Sequence, residues 1–309
     1  MKKDIGTLLM SNTRKTSNIN GVLNIFKNKG MSSFDVVRKI KFLANEKKVG
    51  HTGTLDPEAT GVLPVCIGRA TKTIDYIMNS NKGYEVKFLL GVKTTTYDLE
   101  GEVVERNETS HITEEEVSKV VLSFIGEYDQ VPPMYSALKK NGVRLYELAR
   151  QGIEIEREAR KVNIFNISNL KIDLPYVSMK VACSKGTYIR SLCYDIGEKL
   201  KVGAAMTELN RYETSVFVQE NSVNIEDLTK ENISDYIITI EEALLSYPKL
   251  TVRSSFTKLL INGVKVFDKR LTNEKREKNV LYRVYDSEDT FIGIGKQDDE
   301  GFKIEKLLI

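Results

Sequence analysis

Val49–Gly68, VGHTGTLDPEATGVLPVCIG, is a loop between a helix-like segment and an apolar run, Val62–Ile67. It gathers Gly50, His51, Thr52, Gly53, Thr54, Asp56 and Pro57. Glycine lets the backbone take positive φ or approach a ligand closely. Pro57 biases the residue before it toward extended structure. Asp56 therefore sits on a stiffened loop near His51, one of only two histidines in the chain. Taken alone, an Asp-Pro pair is a turn whose carboxylate caps the next element.

Upstream, Gly21–Lys27 reads as a strand. Ser32 or Ser33 caps a helix with Asp35 in its first turn. Val36, Val37, Ile40, Leu43 and Ala44 form one apolar face at helical spacing. Downstream, Ala70–Asn79 reads as a second helix with Ile74, Ile77 and Met78 inward. Gly83–Gly91, GYEVKFLLG, alternates as a strand with Tyr84, Val86, Phe88 and Leu90 on one face. TTTYDLEG follows it. Thr113–Glu116 is a capping box opening a helix whose buried face is Val117, Val120, Val121 and Phe124. Lys161–Leu174 and Val177–Cys183 read as paired strands. In CSKGTYIRSLCYDIGEKL, Gly186 breaks the second of them. Thr187 then caps a helix carrying Ile189, Leu192, Cys193, Ile196 and Leu200, with Tyr188 and Arg190 in its first turn.

At 309 residues the chain fits a large domain plus a small one. No apolar run approaches the roughly 20 residues a membrane span needs. Met1–Asn20 is polar and its apolar piece, Leu8–Met10, is too short for a signal peptide. It reads as a disordered or optional leader, with Met10 an alternative start, and the default localisation is cytoplasmic. Cys66, Cys183 and Cys193 are widely spaced, and neither they nor His51 and His111 fall in metal-ligand spacing. No metal site and no disulfide framework are expected. GxGxxG and GxxxxGK[ST] are absent from the sequence, so a cofactor-free protein is expected. The net charge is only +3, so a nucleic-acid-binding face requires an uneven distribution of charge.

Val131–Arg160 mixes Pro132, Pro133 and Gly142 with Lys139, Lys140, Arg144, Arg150, Arg157 and Arg160, and interleaves Tyr135 and Tyr146. Basic side chains attract phosphates and aromatics offer stacking surfaces, which suits looped RNA. The competing reading is a solvated helical hairpin. Tyr247-Pro248 marks a boundary. Beyond it come short strands at Leu250–Arg253, Gly263–Phe267, Val280–Tyr285, Phe291–Gly295 and Phe302–Leu307, with a helix at Ser255–Asn262.

GHTGTLDPEATGVLPVCIGRATK closely resembles the catalytic motif of bacterial tRNA pseudouridine synthases of the TruB type. GYEVKFLLG with TTTYDLEG, KGTYIRSL and Leu209–Arg211 match that family's further motifs. The family's Asp-Lys-Pro at the first strand end is replaced by Phe26, Lys27 and Asn28, while Gly30 and Ser33 match. The resemblance implies isomerisation of the uridine at position 55 in the tRNA T loop. It implies Asp56 as nucleophile, Arg190 as its ionic partner and Tyr84 stacked on the target uracil. Tyr188 and Leu209 then lie against the nucleoside, and His51 is a substrate-side residue near the flipped base. It also implies that 131–160 grips the T arm, with Lys139, Lys140 and Arg144 on RNA. The fold class implied is α+β: a mixed-sheet catalytic domain over 21–246 after a leader at 1–20, and a PUA-like β-barrel over 247–309.

The expected partner is the tRNA T-arm stem-loop, bound by a monomer. A carboxylate serves as covalent nucleophile, and the base must be flipped out of its loop. Attack at ribose C1′, with Tyr84 removing the C2′ proton, and attack at base C6 both remain open. So do two other functions: an RNA-folding chaperone with secondary or no catalysis, and action on another RNA with a T-loop-like hairpin.

Overall fold

The computed structural model describes residues 19–309, so the leader expected at 1–20 lies outside it except for its last two residues. Ile19 packs against the core, and the Asn20 side chain accepts from the Arg69 N–H at 2.8 Å. The chain opens with β1 (Gly21–Lys27) and α1 (Ser33–Ala44). A capping box starts α1: the Ser32 hydroxyl accepts from the Asp35 N–H, and the Asp35 carboxylate accepts from the Ser32 N–H. Val36, Val37, Ile40 and Ala44 are its buried face, as their spacing predicts.

Next come β2 (Val49–His51), β3 (Thr60–Ile67), α2 (Ile74–Met78), β4 (Lys82–Leu90), β5 (Val92–Thr94) and β6 (Val103–Arg106). The expected helix over Ala70–Asn79 begins as a 3₁₀ turn, Gly68–Thr73, leaving α2 only five residues long. Ile77 is buried and Ile74 half-buried, but Met78 is exposed, since so short a helix covers little of the core.

α3 (Glu114–Leu122) carries the predicted capping box and buries Val117 and Val121. β7 (Gly126–Gln130), β8 (Lys139–Lys140), β9 (Val143–Arg144) and α4 (Leu145–Ala149) lead into β10 (Arg160–Asp173) and β11 (Tyr176–Cys183). The segment 131–160 thus holds a small β-hairpin and a short helix rather than a helical hairpin. α5 (Ile189–Lys199) and β12 (Ala204–Thr214) follow, then β13 (Phe217–Val218), β14 (Val223–Asn224) and β15 (Ile237–Ile238).

The main sheet runs β14-β1-β3-β12-β4-β11-β10-β7, with β2 on β3, β13 on β12 and β15 on β1. β12 lies antiparallel to β4 and parallel to β3, so the sheet is mixed. Gly61 makes the β3–β12 approach possible: its φ is +110°, and a Cβ there would meet the Arg211 carbonyl at 2.2 Å. α1, α3 and α5 contribute buried residues to one core with β1, β3, β4, β10 and β11.

Beyond Pro248, β16 (Lys249–Thr251), α6 (Ser254–Ile261), β17 (Leu281–Tyr285), β18 (Phe291–Asp298) and β19 (Gly301–Leu307) enclose a separate core around Leu250, Leu260, Val284 and Phe302. These four strands form a sheet with β16 and β19 as its edges. The strand expected at Gly263–Phe267 is reduced to a single bridge between Val266 and Phe302. Gly263, at φ +79°, follows the Asn262 cap of α6 and turns the chain where that strand was expected to begin.

Candidate active site

The loop bearing Asp56 is pinned from several sides. The Ser33 hydroxyl accepts from the Leu55 N–H at 2.8 Å and lies 3.1 Å from the Leu55 carbonyl. The Gly30 N–H and the Lys27 ammonium both donate to the Pro57 carbonyl, at 2.9 and 3.0 Å. Lys27 is fully buried and donates also to the carbonyls of Asn28 and Met31. Burial pushes its ammonium down to about 8, against the pull of the Asp56 and Glu58 carboxylates. The departure at Phe26–Asn28 does not leave the loop free, because Asn28 joins Asn224 in a side-chain amide pair at 3.1 Å.

The Asp56 carboxylate turns to Arg190 rather than capping the next element. Arg190 Nε lies 3.0 Å from Oδ2, and Nη2 donates to Oδ1 at 3.2 Å. Arg190 is itself buried. It also donates to the carbonyls of Tyr135 at 2.8 Å and Thr96 at 3.1 Å, and Nη1 lies 3.4 Å from Asp98 Oδ2. One guanidinium therefore serves two carboxylates and two carbonyls, using the planar fork that only arginine offers. Burial pushes the Asp56 carboxyl up; Arg190 pulls it back, Asp98 adds to the rise, and Lys27 opposes it.

What aims Arg190 is the start of α5. The cap residue is Tyr188, not Thr187, whose hydroxyl donates back to the Ser184 carbonyl. Tyr188 supplies no side-chain cap. Its backbone is instead bracketed by the buried Gln130 amide, which accepts from the Tyr188 N–H at 2.8 Å and donates to the Tyr188 carbonyl at 3.0 Å. The Ser191 hydroxyl donates to the Val131 carbonyl at 2.8 Å. The end of β7 and the root of 131–160 are thereby stitched to the helix that carries Arg190.

A second buried arginine, Arg211 on β12, holds the other side of the loop. Nε donates to the Val62 carbonyl at 2.8 Å and Nη2 to the Gly53 carbonyl at 3.2 Å. Burial pushes the Tyr84 phenol up, while the neighbouring Arg211 pulls against it. Burial and Arg211 together push the His51 imidazole down, which keeps it neutral at pH 7. His51 Nδ1 accepts from the Gly53 N–H at 3.2 Å.

Beside Asp56 is a cleft of about 30 Å³ lined in part by Lys29, Asp98, Leu99, Met206 and Leu209. Leu209 lines the cleft. Tyr84 and Tyr188 stand within electrostatic reach of Asp56, while His51 stands on the Arg211 side of the loop. Lys139, Lys140 and Arg144 are gathered on the exposed β8–β9 hairpin. Lys140 donates to the Glu156 carbonyl and Arg144 to the Tyr146 hydroxyl, each at 2.9 Å.

Sequence reasoning gave no role in the site to Asp98, Gln130, Lys27 or Arg211. Asp98 was visible only as one of two carboxylates, with Glu100, in TTTYDLEG. Gln130 had no local signal, because its role exists only through Tyr188, 58 residues away.

Residues 41–189 match the TruB family pseudouridylate synthase N-terminal domain, and residues 190–245 the tRNA pseudouridylate synthase B C-terminal domain. Residues 248–304 match the pseudouridine synthase II TruB C-terminal family. A Clostridium perfringens (strain SM101) protein named tRNA pseudouridine synthase B is 61% identical over 94% of this chain and 99% of its own length. Its Clostridium tetani counterpart of the same name is 57% identical over 94% and 100%. Among solved structures, a chain from a Cbf5-Nop10-Gar1 complex superposes with a TM-score of 0.72 at 26% identity, covering 94% of this chain and 85% of that one. With its fold, its three matched segments and its curated relatives in agreement, this chain belongs to the TruB family of pseudouridylate synthases.

Proposed function

We propose that this enzyme isomerises uridine to pseudouridine at position 55 of the tRNA T loop, flipping the base out and using Asp56 as covalent nucleophile. The observation that carries this reading is the Asp56–Arg190 pair. The arginine side chain is 7% exposed while the aspartate side chain keeps 37%, so a fixed cation orients a carboxylate that solvent and substrate still reach. Supporting it, the curated relatives' name specifies tRNA.

Asp56 bonds either to ribose C1′, displacing uracil as its anion, or to base C6, after which the C1′–N1 bond breaks; in both routes the Asp56 bond is broken again by the time the C5–C1′ product is released. The uracil turns and rejoins through C5, and the C5 proton is lost. No redox change occurs. On the C1′ route Tyr84 takes the C2′ proton, and the phenolate this requires is opposed by burial and favoured by Arg211. Tyr188 and Leu209 bound the slot for the nucleoside, and His51 fills space left in the loop by the extruded base.

In this reading 21–246 is the catalytic domain, with 131–160 its T-arm grip through Lys139, Lys140 and Arg144. Residues 247–309 are an RNA-contacting domain of PUA type. The protein works as a cytoplasmic monomer. The test is to incubate the purified chain with an unmodified tRNA transcript and map pseudouridine by position. Formation at uridine 55, abolished by cytidine at 55, is expected. Formation at another uridine, or none, overturns the reading.

A further inference from the structure

The outer face of α1 carries Phe34, Arg38 and Phe42 at successive helical turns, with both phenylalanines more than half exposed. Arg38 stands 5.4 Å from the Phe34 ring centroid, and the Lys230 ammonium stands 4.2 Å from that of Phe42. Beside this ladder runs a shallow groove of about 750 Å³, lined by Arg38, Lys41, Phe42, Asn45, Glu46, Lys47 and Lys230.

Charge decides what fits there. Four cations and one carboxylate line the groove, a balance of +3, equal to the net charge of the whole 309-residue chain. One further carboxylate, Asp35, pairs with Arg38 at 3.2 Å while capping α1. With Asp35 counted, cations still outnumber carboxylates four to two beside exposed aromatic rings. Cations beside open aromatic faces suit a phosphate backbone with stackable bases.

The groove is tied to the site by α1 itself. Ser33, at the helix start, holds the Asp56 loop through Leu55. Phe42 lies nine residues further on, about 14 Å along the axis at 1.5 Å per residue.

We propose that this α1 groove is a second RNA-binding surface, which takes the phosphate backbone of the substrate RNA beyond the nucleotide being isomerised and stacks a base on Phe42. It rests on the reading of the enzyme as RNA-modifying and adds to the 131–160 segment a grip on a different element. RNA held at both places is fixed in orientation over Asp56.

The test uses the full chain with Arg38, Lys41, Lys47 and Lys230 all changed to Gln, and an unmodified tRNA transcript. Its Kd is measured across a salt series, and single-turnover isomerisation at saturating RNA. Each phosphate no longer neutralised lowers the log–log salt slope by roughly 0.7–0.9, so four lower it by about 3. We expect that flattening, a Kd at least tenfold weaker at low salt, an unchanged saturating rate and an unchanged melting temperature. Phe42→Ala alone weakens binding by about tenfold, the scale of one stacked base. Parent-like Kd and slope in both variants overturn the proposal. So does lost retention on anionic phospholipid vesicles with RNA affinity intact, which assigns the groove to a membrane surface. The two readings fail separately: a parent chain that binds tRNA without isomerising it defeats the catalytic assignment and leaves the groove standing.

Discussion

Replacing Arg190 with lysine keeps the charge and removes the fork. The guanidinium reaches both oxygens of Asp56, one oxygen of Asp98, and the carbonyls of Tyr135 and Thr96. A lysine ammonium is a single nitrogen with three donors, so at least two of these acceptors are left without a partner. Each buried acceptor left unpaired costs about 1–3 kcal/mol, giving a stability loss on the order of 2–6 kcal/mol. A surface ion pair would cost under about 1 kcal/mol, so denaturant unfolding alone separates the two situations. Turnover falls further than stability implies, because Asp56 no longer has the two-point hold that aims its oxygens. A displacement near 1 Å costs roughly a hundredfold in rate. The assay is single-turnover pseudouridine formation at saturating tRNA, at a temperature where circular dichroism shows the variant folded, with Kd measured separately. RNA affinity is expected to stay near the parent's. A lysine variant that matches the parent in both rate and stability refutes the claim that the guanidinium fork is required.

Asp98→Asn separates the two carboxylates on that guanidinium. The Asp98 anion raises the Asp56 carboxyl, so removing it lowers Asp56 and should move the acid limb of the single-turnover pH profile to lower pH, with a reduced plateau; a limb that stays put or moves up contradicts the coupling. In the parent that limb is expected above the usual carboxylate value of 3.8, because burial pushes Asp56 upward. Changing Lys139, Lys140 and Arg144 to Gln should weaken T-arm hairpin binding and flatten its salt slope by roughly 0.7–0.9 for each phosphate no longer neutralised. An unaltered slope makes the hairpin a solvated face.

Local patterning carried most of the elements. β1, the capping boxes of α1 and α3, and the alternation of Tyr84, Val86, Phe88 and Leu90 are set by neighbours in sequence, and the structure keeps them. Asp56, Arg190 and Leu209 were legible as candidates because their motifs are distinctive strings. What failed to show was whatever depends on distant partners. Thr187 looked like a cap because the true brace of Tyr188, the Gln130 amide, arrives from β7. Lys27 looked like a strand-end lysine until three carbonyls closed around it. The α1 groove was equally hidden, since Lys230 joins Arg38 and Phe42 only through the fold.

The most direct test of the central claim is Asp56→Asn. The change keeps shape and nearly keeps volume, and an amide cannot serve as the ionised nucleophile. The measurement is pseudouridine yield from the purified variant on an unmodified tRNA transcript, beside its Kd for a T-arm hairpin, with deamidation back to Asp excluded by mass. Catalysis by Asp56 predicts no pseudouridine and near-parent affinity. Pseudouridine formed at the parent's rate by a variant proven to carry Asn contradicts the assignment.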